Sequence, residues 1–206
     1  MKQIAMMGGT FNPPHTGHIH AAKACAERLG LDKVLFIPSK IPPHKLLPEG
    51  TPEPEIRLEM TKLAVKAYDS FEACDIELKR EGASYTAITA KALSELYPDA
   101  KLWLIIGTDM LMTFASWYKP EEILKYMSLA VVGRADGDDE KLRMAADDLR
   151  KSLSAEIEII DVEAMEISST EVRDMLTSGD IDGAGKYLPE NVIHYIAEKG
   201  LYRKNG

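Results

Sequence analysis

Two histidines three residues apart, His15 and His18, close the string Gly8-Gly9-Thr10-Phe11-Asn12-Pro13-Pro14-His15-Thr16-Gly17-His18. Lys2 to Met7 is a short apolar run, long enough for one buried strand, and the glycine pair after it lets the backbone turn sharply and approach a ligand. A helix is expected to start near Thr16 or Gly17. Its unpaired amides and the positive end of its dipole would face an anion, toward which both imidazoles can lean. Imidazoles at that place donate to phosphate oxygens without requiring a fixed full charge, so the string has the build of a phosphate site. The same residues admit two other readings: a metal pair, with His20 nearby, or a histidine-rich surface loop. A structural zinc site usually wants four ligands, and neither Cys25 nor Cys74 has a partner at ligand spacing. No metal site is therefore expected from protein side chains.

Apolar runs alternating with helix-period segments must position these groups. Lys33 to Pro38, Phe71 to Asp75, Lys101 to Ile106, Leu129 to Val132 and Glu156 to Ile160 read as strands. Ile19 to Leu29, Glu55 to Tyr68, Thr86 to Tyr97, Pro120 to Met127 and Glu140 to Leu153 read as helices, each with apolar residues at three- and four-residue spacing. This alternation predicts an α/β fold, a Rossmann-like doubly wound parallel sheet with ligands at the carboxyl ends of its strands. Residues 1–180 would form the α/β domain. Residues 181–206, with Pro189 near a helix start, read as a small C-terminal helical subdomain appended to it.

The 206 residues and 45% hydrophobic content suit one domain with a sizeable core. A net charge of -8 argues against a general nucleic-acid binder, which needs a clustered basic face. Lys2-Gln3 leads straight into a strand-like run with no signal peptide, and no apolar stretch approaches a membrane span, so no membrane partner and a cytoplasmic protein are expected. The two cysteines read as buried free thiols. A homo-oligomer is compatible with the sequence, which does not specify one.

Two further segments carry chemistry. Pro38 to Pro54 holds six of the eleven prolines and neither period, and reads as a long loop presenting His44 and Lys45 after Pro42-Pro43. From composition alone it is also a plain proline-rich surface loop. In Ile167-Ser168-Ser169-Thr170-Glu171-Val172-Arg173, Ser168 and Glu171 have capping-box spacing, so a helix begins there. Its hydroxyls, exposed amides and Arg173 would also make a triphosphate cradle.

The first string resembles the GGTF(D/N)PxHxGH motif of the nucleotidyltransferase superfamily that carries a T/HxGH element, with Asn12 where Asp is more usual. Ile-Ser-Ser-Thr-x-Val-Arg is similar to the second element of its adenylyltransferase branch. Ile41 to Lys45, Gly82 to Thr86, Gly107-Thr108-Asp109-Met110 and Trp117-Tyr118 resemble segments of bacterial nicotinate mononucleotide adenylyltransferases. Gly133-Arg134-Ala135 departs from the Arg-Pro-Gly common there. The resemblance implies that His15, His18, Ser168, Ser169, Thr170 and Arg173 hold ATP phosphates, with Arg134 also on the ATP side. Gly8, Gly9, Thr10 and Phe11 would pass close to the nucleotide, and Lys45 would reach the reacting phosphates. Thr86, Trp117 and Tyr118 would receive the pyridine mononucleotide, and Asp109 a ribose. Taken singly, Trp117-Tyr118 reads as a core or surface aromatic pair, and Asp109 and Thr86 as helix caps.

The implied reaction joins nicotinate mononucleotide to ATP. The mononucleotide phosphate attacks the α-phosphorus and expels pyrophosphate, with His15, His18, Lys45, Arg173 and ATP-borne Mg²⁺ relieving repulsion between the polyanions. A phosphate monoester with a second pKa near about 6 needs no general base. The alternatives are preference for nicotinamide mononucleotide or for both mononucleotides, a nucleotide-binding sensor without turnover, and an RNA-binding module suggested by the His-Thr-Gly-His string.

Overall fold

The computed structural model describes residues 1–43, 46–134, 139–163, 165 and 167–203. Six strands form one sheet: β1 (Lys2–Gly9), β2 (Lys33–Pro38), β3 (Phe71–Ala73), β4 (Ala100–Gly107), β5 (Ser128–Arg134) and β6 (Ile157–Val162). Their order is β3-β2-β1-β4-β5-β6, and every neighbouring pair is parallel. The sheet thus winds outward in both directions from β1 and β4, and a crevice opens where the direction changes.

The central strands are buried on both faces, which is why they read as continuous apolar runs rather than alternating ones. Successive side chains go to opposite sides. Ala5, Met7, Val34, Phe36, Trp103, Ile105 and Ala130 enter one core. Ile4, Met6, Leu35, Ile37, Leu102, Leu104, Ile106, Leu129 and Val131 enter the other. The first core is covered by α1 (Thr16–Leu29), α2 (Pro54–Val65), α7 (Ser169–Ser178) and α9 (Glu190–Lys199). The second is covered by α3 (Thr86–Leu96), α5 (Pro120–Tyr126) and α6 (Asp139–Leu153), with α4 (Thr108–Thr113) at its rim. Among the described residues no helix is long and apolar enough to cross a membrane.

The elements differ from the sequence reading where length or periodicity runs short. The edge strand β3 keeps only three of its five expected residues, because β2 alone pairs with it and the chain leaves into turns after Ala73. Helix α4 and the 3₁₀ turn Phe114–Ser116 escape periodicity at six and three residues. At the C-terminus α8 (Ile181–Gly185) and α9 are separate, with Pro189 capping the second. Ala184, Leu188, Val192 and Ile196 are buried in the same core as β1, and Asn191 Nδ2 donates to the carbonyl of Leu63 in α2 at 2.7 Å.

Because Ile196 sits in that shared core at 4% exposure, Ile196→Ala is expected to cost about 2–5 kcal/mol. It should lower the urea midpoint of the whole chain in a single transition. A separate, lower transition would mean that α9 folds apart from the sheet.

Candidate active site at the sheet switch point

The segment after β1 is held by donors from three distant parts of the chain. Its backbone leaves regular structure at Thr10, Phe11 takes φ 48°, and the Asn12–Pro13 peptide is cis. Its carbonyls therefore have no strand or helix partners and must find them elsewhere. The Thr10 carbonyl accepts from Arg57 Nη1 at 2.7 Å, that of Asn12 from Arg173 Nη1 at 2.8 Å, and that of Pro13 from Ser169 Oγ at 3.0 Å. The Asn12 side chain is fixed at both ends: Nδ2 donates to Thr51 Oγ1 at 3.1 Å, and Oδ1 accepts from Tyr202 OH at 2.7 Å. Thr16 N–H donates to the Tyr187 carbonyl at 2.8 Å and fastens the first turn of α1.

His15 caps α1, and its backbone N–H donates to His18 Nδ1 at 3.2 Å. With Nδ1 accepting, a neutral His18 carries its proton on Nε2 and can donate it outward. The two rings lie 3.8 Å apart, and Phe11 meets His18 edge-on at 5.1 Å. Gly17 permits this closeness: a Cβ there would stand 3.0 Å from the His15 ring and 3.2 Å from Ile167 Cγ2. Burial pulls the His15 pKa down to about 4, against a smaller opposing pull from Glu171. Burial, then the neighbouring His15, drives His18 well below the usual histidine range. Both imidazoles are neutral at physiological pH, and His15 Nδ1 is buried with no hydrogen-bond partner among the described residues. An anion placed beside them would restore the charge that burial removes.

His18, Ser169 and Arg173 line one polar cavity of about 120 Å³ with Thr10, Phe11, Asn12, Leu47 and Pro48. The start of α7 opens beside it. Ser168 caps this helix as its spacing predicts, accepting from Glu171 N–H at 3.2 Å while its own N–H donates to Glu171 Oε2 at 2.8 Å. Ser168 Oγ also donates to Glu171, and Thr170 Oγ1 accepts from Arg173 Nη2 at 3.0 Å. The hydroxyls thus first serve to fix the helix start and the guanidinium. The backbone amides at the start of this ten-residue helix supply anion-binding potential of their own. Gly8 and Gly9 end β1 at the approach to the cavity. His15 does not line this cavity and meets it only through its ring contact with His18.

A second cavity of about 190 Å³ is lined by Pro42, Pro43, Ser84, Tyr85, Thr86, Trp117, Tyr118 and Ile123. Thr86 begins α3 there, at the positive end of its dipole. Trp117 leans on Phe114 at 5.2 Å and donates from Nε1 to Thr113 Oγ1 at 3.4 Å, while Tyr118 lies 4.2 Å from Tyr85 at 30°. Flat aromatic walls beside a helix start suit a planar ring that bears an anionic group. Ser84 joins this pocket to the proline-rich loop. Its N–H donates to the Ile41 carbonyl at 2.8 Å, and its Oγ accepts from Lys40 and Ile41 N–H at 2.9 and 3.3 Å. Asp109 is exposed on the first turn of α4 and lines neither cavity. His44, Lys45 and the side chain of Arg134 lie outside the described residues.

Sequence reasoning missed Arg57, Ser84 and Tyr202. Arg57 had a signal: it falls with Met60, Thr61 and Ala64 on the buried stripe of α2, where a guanidinium is out of place unless it is fully bonded. Tyr202 follows the last helix, outside any periodic segment.

The cytidylyltransferase-like family model matches residues 6–175. The chain belongs to this family. Its curated relatives include the probable nicotinate-nucleotide adenylyltransferase of Lachnoclostridium phytofermentans, 36% identical over 202 residues, covering 98% of this chain and 100% of the relative. That of Clostridium tetani is 34% identical over 203 residues, covering 98% and 100%. Among solved structures, Plasmodium falciparum nicotinic acid mononucleotide adenylyltransferase complexed with NaAD has a TM-score of 0.75 at 21% identity, covering 98% of each chain. A putative nicotinate-nucleotide adenylyltransferase from Vibrio parahaemolyticus has a TM-score of 0.65 at 23% identity, covering 100% of this chain and 98% of that one. These structures share the family's fold with this chain.

The depressed His15 pKa has a defined sign in stability. Between the unfolded value of about 6.5 and the folded value of about 4, the unfolded chain binds more protons, so stability falls as pH falls through that window. The full span corresponds to on the order of 3 kcal/mol, from about 1.4 kcal/mol per pKa unit. Urea midpoints between pH 7 and pH 4 are expected to fall more steeply in the wild type than in His15→Gln. Identical slopes would mean that folding leaves the His15 proton affinity unchanged.

Proposed function

We propose that this protein transfers the adenylyl group of ATP to nicotinate mononucleotide, giving nicotinate adenine dinucleotide and pyrophosphate as a step of NAD biosynthesis. The observation that carries this is the pair of cavities at the carboxyl ends of the strands, one polar and nitrogen-rich, the other aromatic at a helix start. Its curated relatives named nicotinate-nucleotide adenylyltransferase support the same substrates.

In this reading His15, His18, Ser168, Ser169, Thr170 and Arg173 bind the triphosphate, with Arg134 on the same side. Gly8 to Phe11 lie along the nucleotide. Lys45 reaches the reacting phosphates from the proline-rich loop. Trp117 stacks on the pyridine ring, amides near Thr86 and Tyr118 meet its carboxylate, and Asp109 takes a ribose.

The acceptor phosphate is already largely deprotonated at neutral pH, so the protein supplies alignment and charge rather than a base. The neutral imidazoles fit this role. They add no fixed charge to the free cavity and become better donors as polyphosphate raises their proton affinity. Among the described residues no three His, Cys, Asp or Glu side chains converge as metal ligands. The polar cavity offers chiefly nitrogen donors, which suits a magnesium ion carried by the triphosphate and water. Bound there, Mg²⁺ supplies charge neutralisation. The reaction is proposed to take place in the cytoplasm.

Pyrophosphate release with ATP and Mg²⁺, compared between nicotinate and nicotinamide mononucleotide, is expected to favour the acid strongly. Equal use of the amide would overturn the substrate, and ATP binding without release from either would make the protein a sensor. His18→Ala is expected to keep its fold and lose at least about a hundredfold in kcat, the scale of one lost transition-state donor. Near-normal turnover would remove His18 from the mechanism.

A further inference from the structure

We propose that Arg57 is a positioning residue for the ATP side of the reaction, fixing the wall of the phosphate cavity by tying the proline-rich loop to the glycine loop. The inference rests on the reading of that cavity as the triphosphate site.

Arg57 has 0% exposure, and its guanidinium is spread over three separate segments. Nη1 donates to the Thr10 carbonyl at 2.7 Å, Nη2 to that of Ser39 at 2.8 Å, and Nε to that of Pro52 at 3.1 Å. Ser39 and Pro52 are the two feet of the loop, and Thr10 follows the glycine pair. All three partners are neutral carbonyls, and burial lowers the guanidinium pKa. Three donors answer three carbonyls that would otherwise be unmet, but stability alone does not single out this side chain, because the bonds are set against the cost of desolvating a charge. What the guanidinium adds is direction: its rigid planar fork sets three backbone segments relative to one another in a way that no apolar or point-charge side chain can.

A second link runs parallel to it. Asn12 Nδ2 donates to Thr51 Oγ1, and Thr51 in turn donates from Oγ1 to the Pro48 carbonyl at 2.7 Å and from its N–H to the same carbonyl at 3.1 Å. Pro48 and Leu47 form one wall of the cavity whose other walls include Thr10, His18 and Arg173. Arg57 and Thr51 therefore hold that wall at its distance from the phosphate-binding groups. The side of the loop that lines the aromatic pocket is pinned differently, by Ser84 to Lys40 and Ile41, and Ser39 keeps its own N–H bond to the Gly9 carbonyl at 2.8 Å. Loss of Arg57 should thus disturb the ATP side and spare the mononucleotide side.

The test measures ATP affinity by calorimetry, and KM for nicotinate mononucleotide and kcat by pyrophosphate release, in wild type, Arg57→Lys, Arg57→Ala and Thr51→Val, with circular dichroism as the fold control. ATP binding is expected to weaken about tenfold in the Arg57 variants and about threefold in Thr51→Val, the scale of one or two unmade hydrogen bonds. KM for the mononucleotide should stay within about twofold, since none of its lining bonds changes. Millimolar methylguanidinium, which fits the space left in Arg57→Ala, should restore ATP affinity to that variant and leave the wild type unchanged. Unchanged ATP affinity in the folded variants, parallel loss on both substrates, or no rescue in a folded Arg57→Ala would overturn the proposal. Should the Arg57 variants fail to fold, Thr51→Val decides alone: normal ATP affinity there overturns it, and selective loss supports it. A wild type that binds ATP but turns over no mononucleotide would instead sink the proposed reaction, leaving the ATP comparison readable.

Discussion

The six residues between β1 and α1, Thr10 to His15, would leave the carbonyls of Thr10, Asn12 and Pro13 unpaired if nothing reached them, and most of the site's architecture follows from this constraint. The chain must leave β1 at the switch point to make room for a ligand, so Thr10, Asn12 and Pro13 lose the partners that a strand or helix would give their carbonyls. Each is answered by a side chain from elsewhere: Arg57 from α2, Arg173 and Ser169 from α7. An unmet buried carbonyl costs about 1–3 kcal/mol, so the donors are not optional. The solution also explains why residues far apart in sequence converge on one cavity, because the groups that satisfy the loop are those that border the ligand space.

The same constraint gives the C-terminal segment its place. Tyr202 donates to Asn12 Oδ1, and Tyr187 accepts from Thr16 N–H, so the chain beyond α7 closes around the loop beside α2, to which α9 is tied by Asn191. Burial raises the Tyr202 hydroxyl pKa above its ordinary value and keeps it a donor at any physiological pH. Helices α8 and α9 are thus more than cover for β1: they bring two backbone and side-chain partners to the residues around the cavity.

Much of this was legible in the sequence, for reasons that differ element by element. Strand β2 matches its reading from Lys33 to Pro38 because a strand buried on both faces is an unbroken apolar run bounded by polar and proline residues. The Ser168–Glu171 cap was readable because its hydrogen bonds are local. The aromatic pocket gathers Thr86, Trp117 and Tyr118, as the family resemblance implied. What stayed hidden depends on long-range contacts or on elements too short to show a period. Arg57 binds segments 47, 18 and 5 residues away, and Tyr202 reaches back 190 residues to Asn12. Local pattern cannot encode such partners. Asp109, to which the family resemblance assigns a ribose, sits exposed outside both cavities.

The electrostatic character of the cavity resolves an apparent conflict with a net charge of -8. A cleft meant for polyanions could be lined with fixed cations, but cations buried without partners carry a large desolvation cost. Here the only described side-chain cation in the cavity wall is Arg173, and two of its nitrogens are already bonded within the protein. The other positive potential comes from helix starts, whose dipoles are built into the backbone, and from imidazoles that are neutral until an anion arrives. Among the described residues the cavity wall therefore holds little fixed charge of its own. In the proposed reaction a bound triphosphate would raise the proton affinity of these imidazoles, so the positive charge it meets need not be stored in the fold.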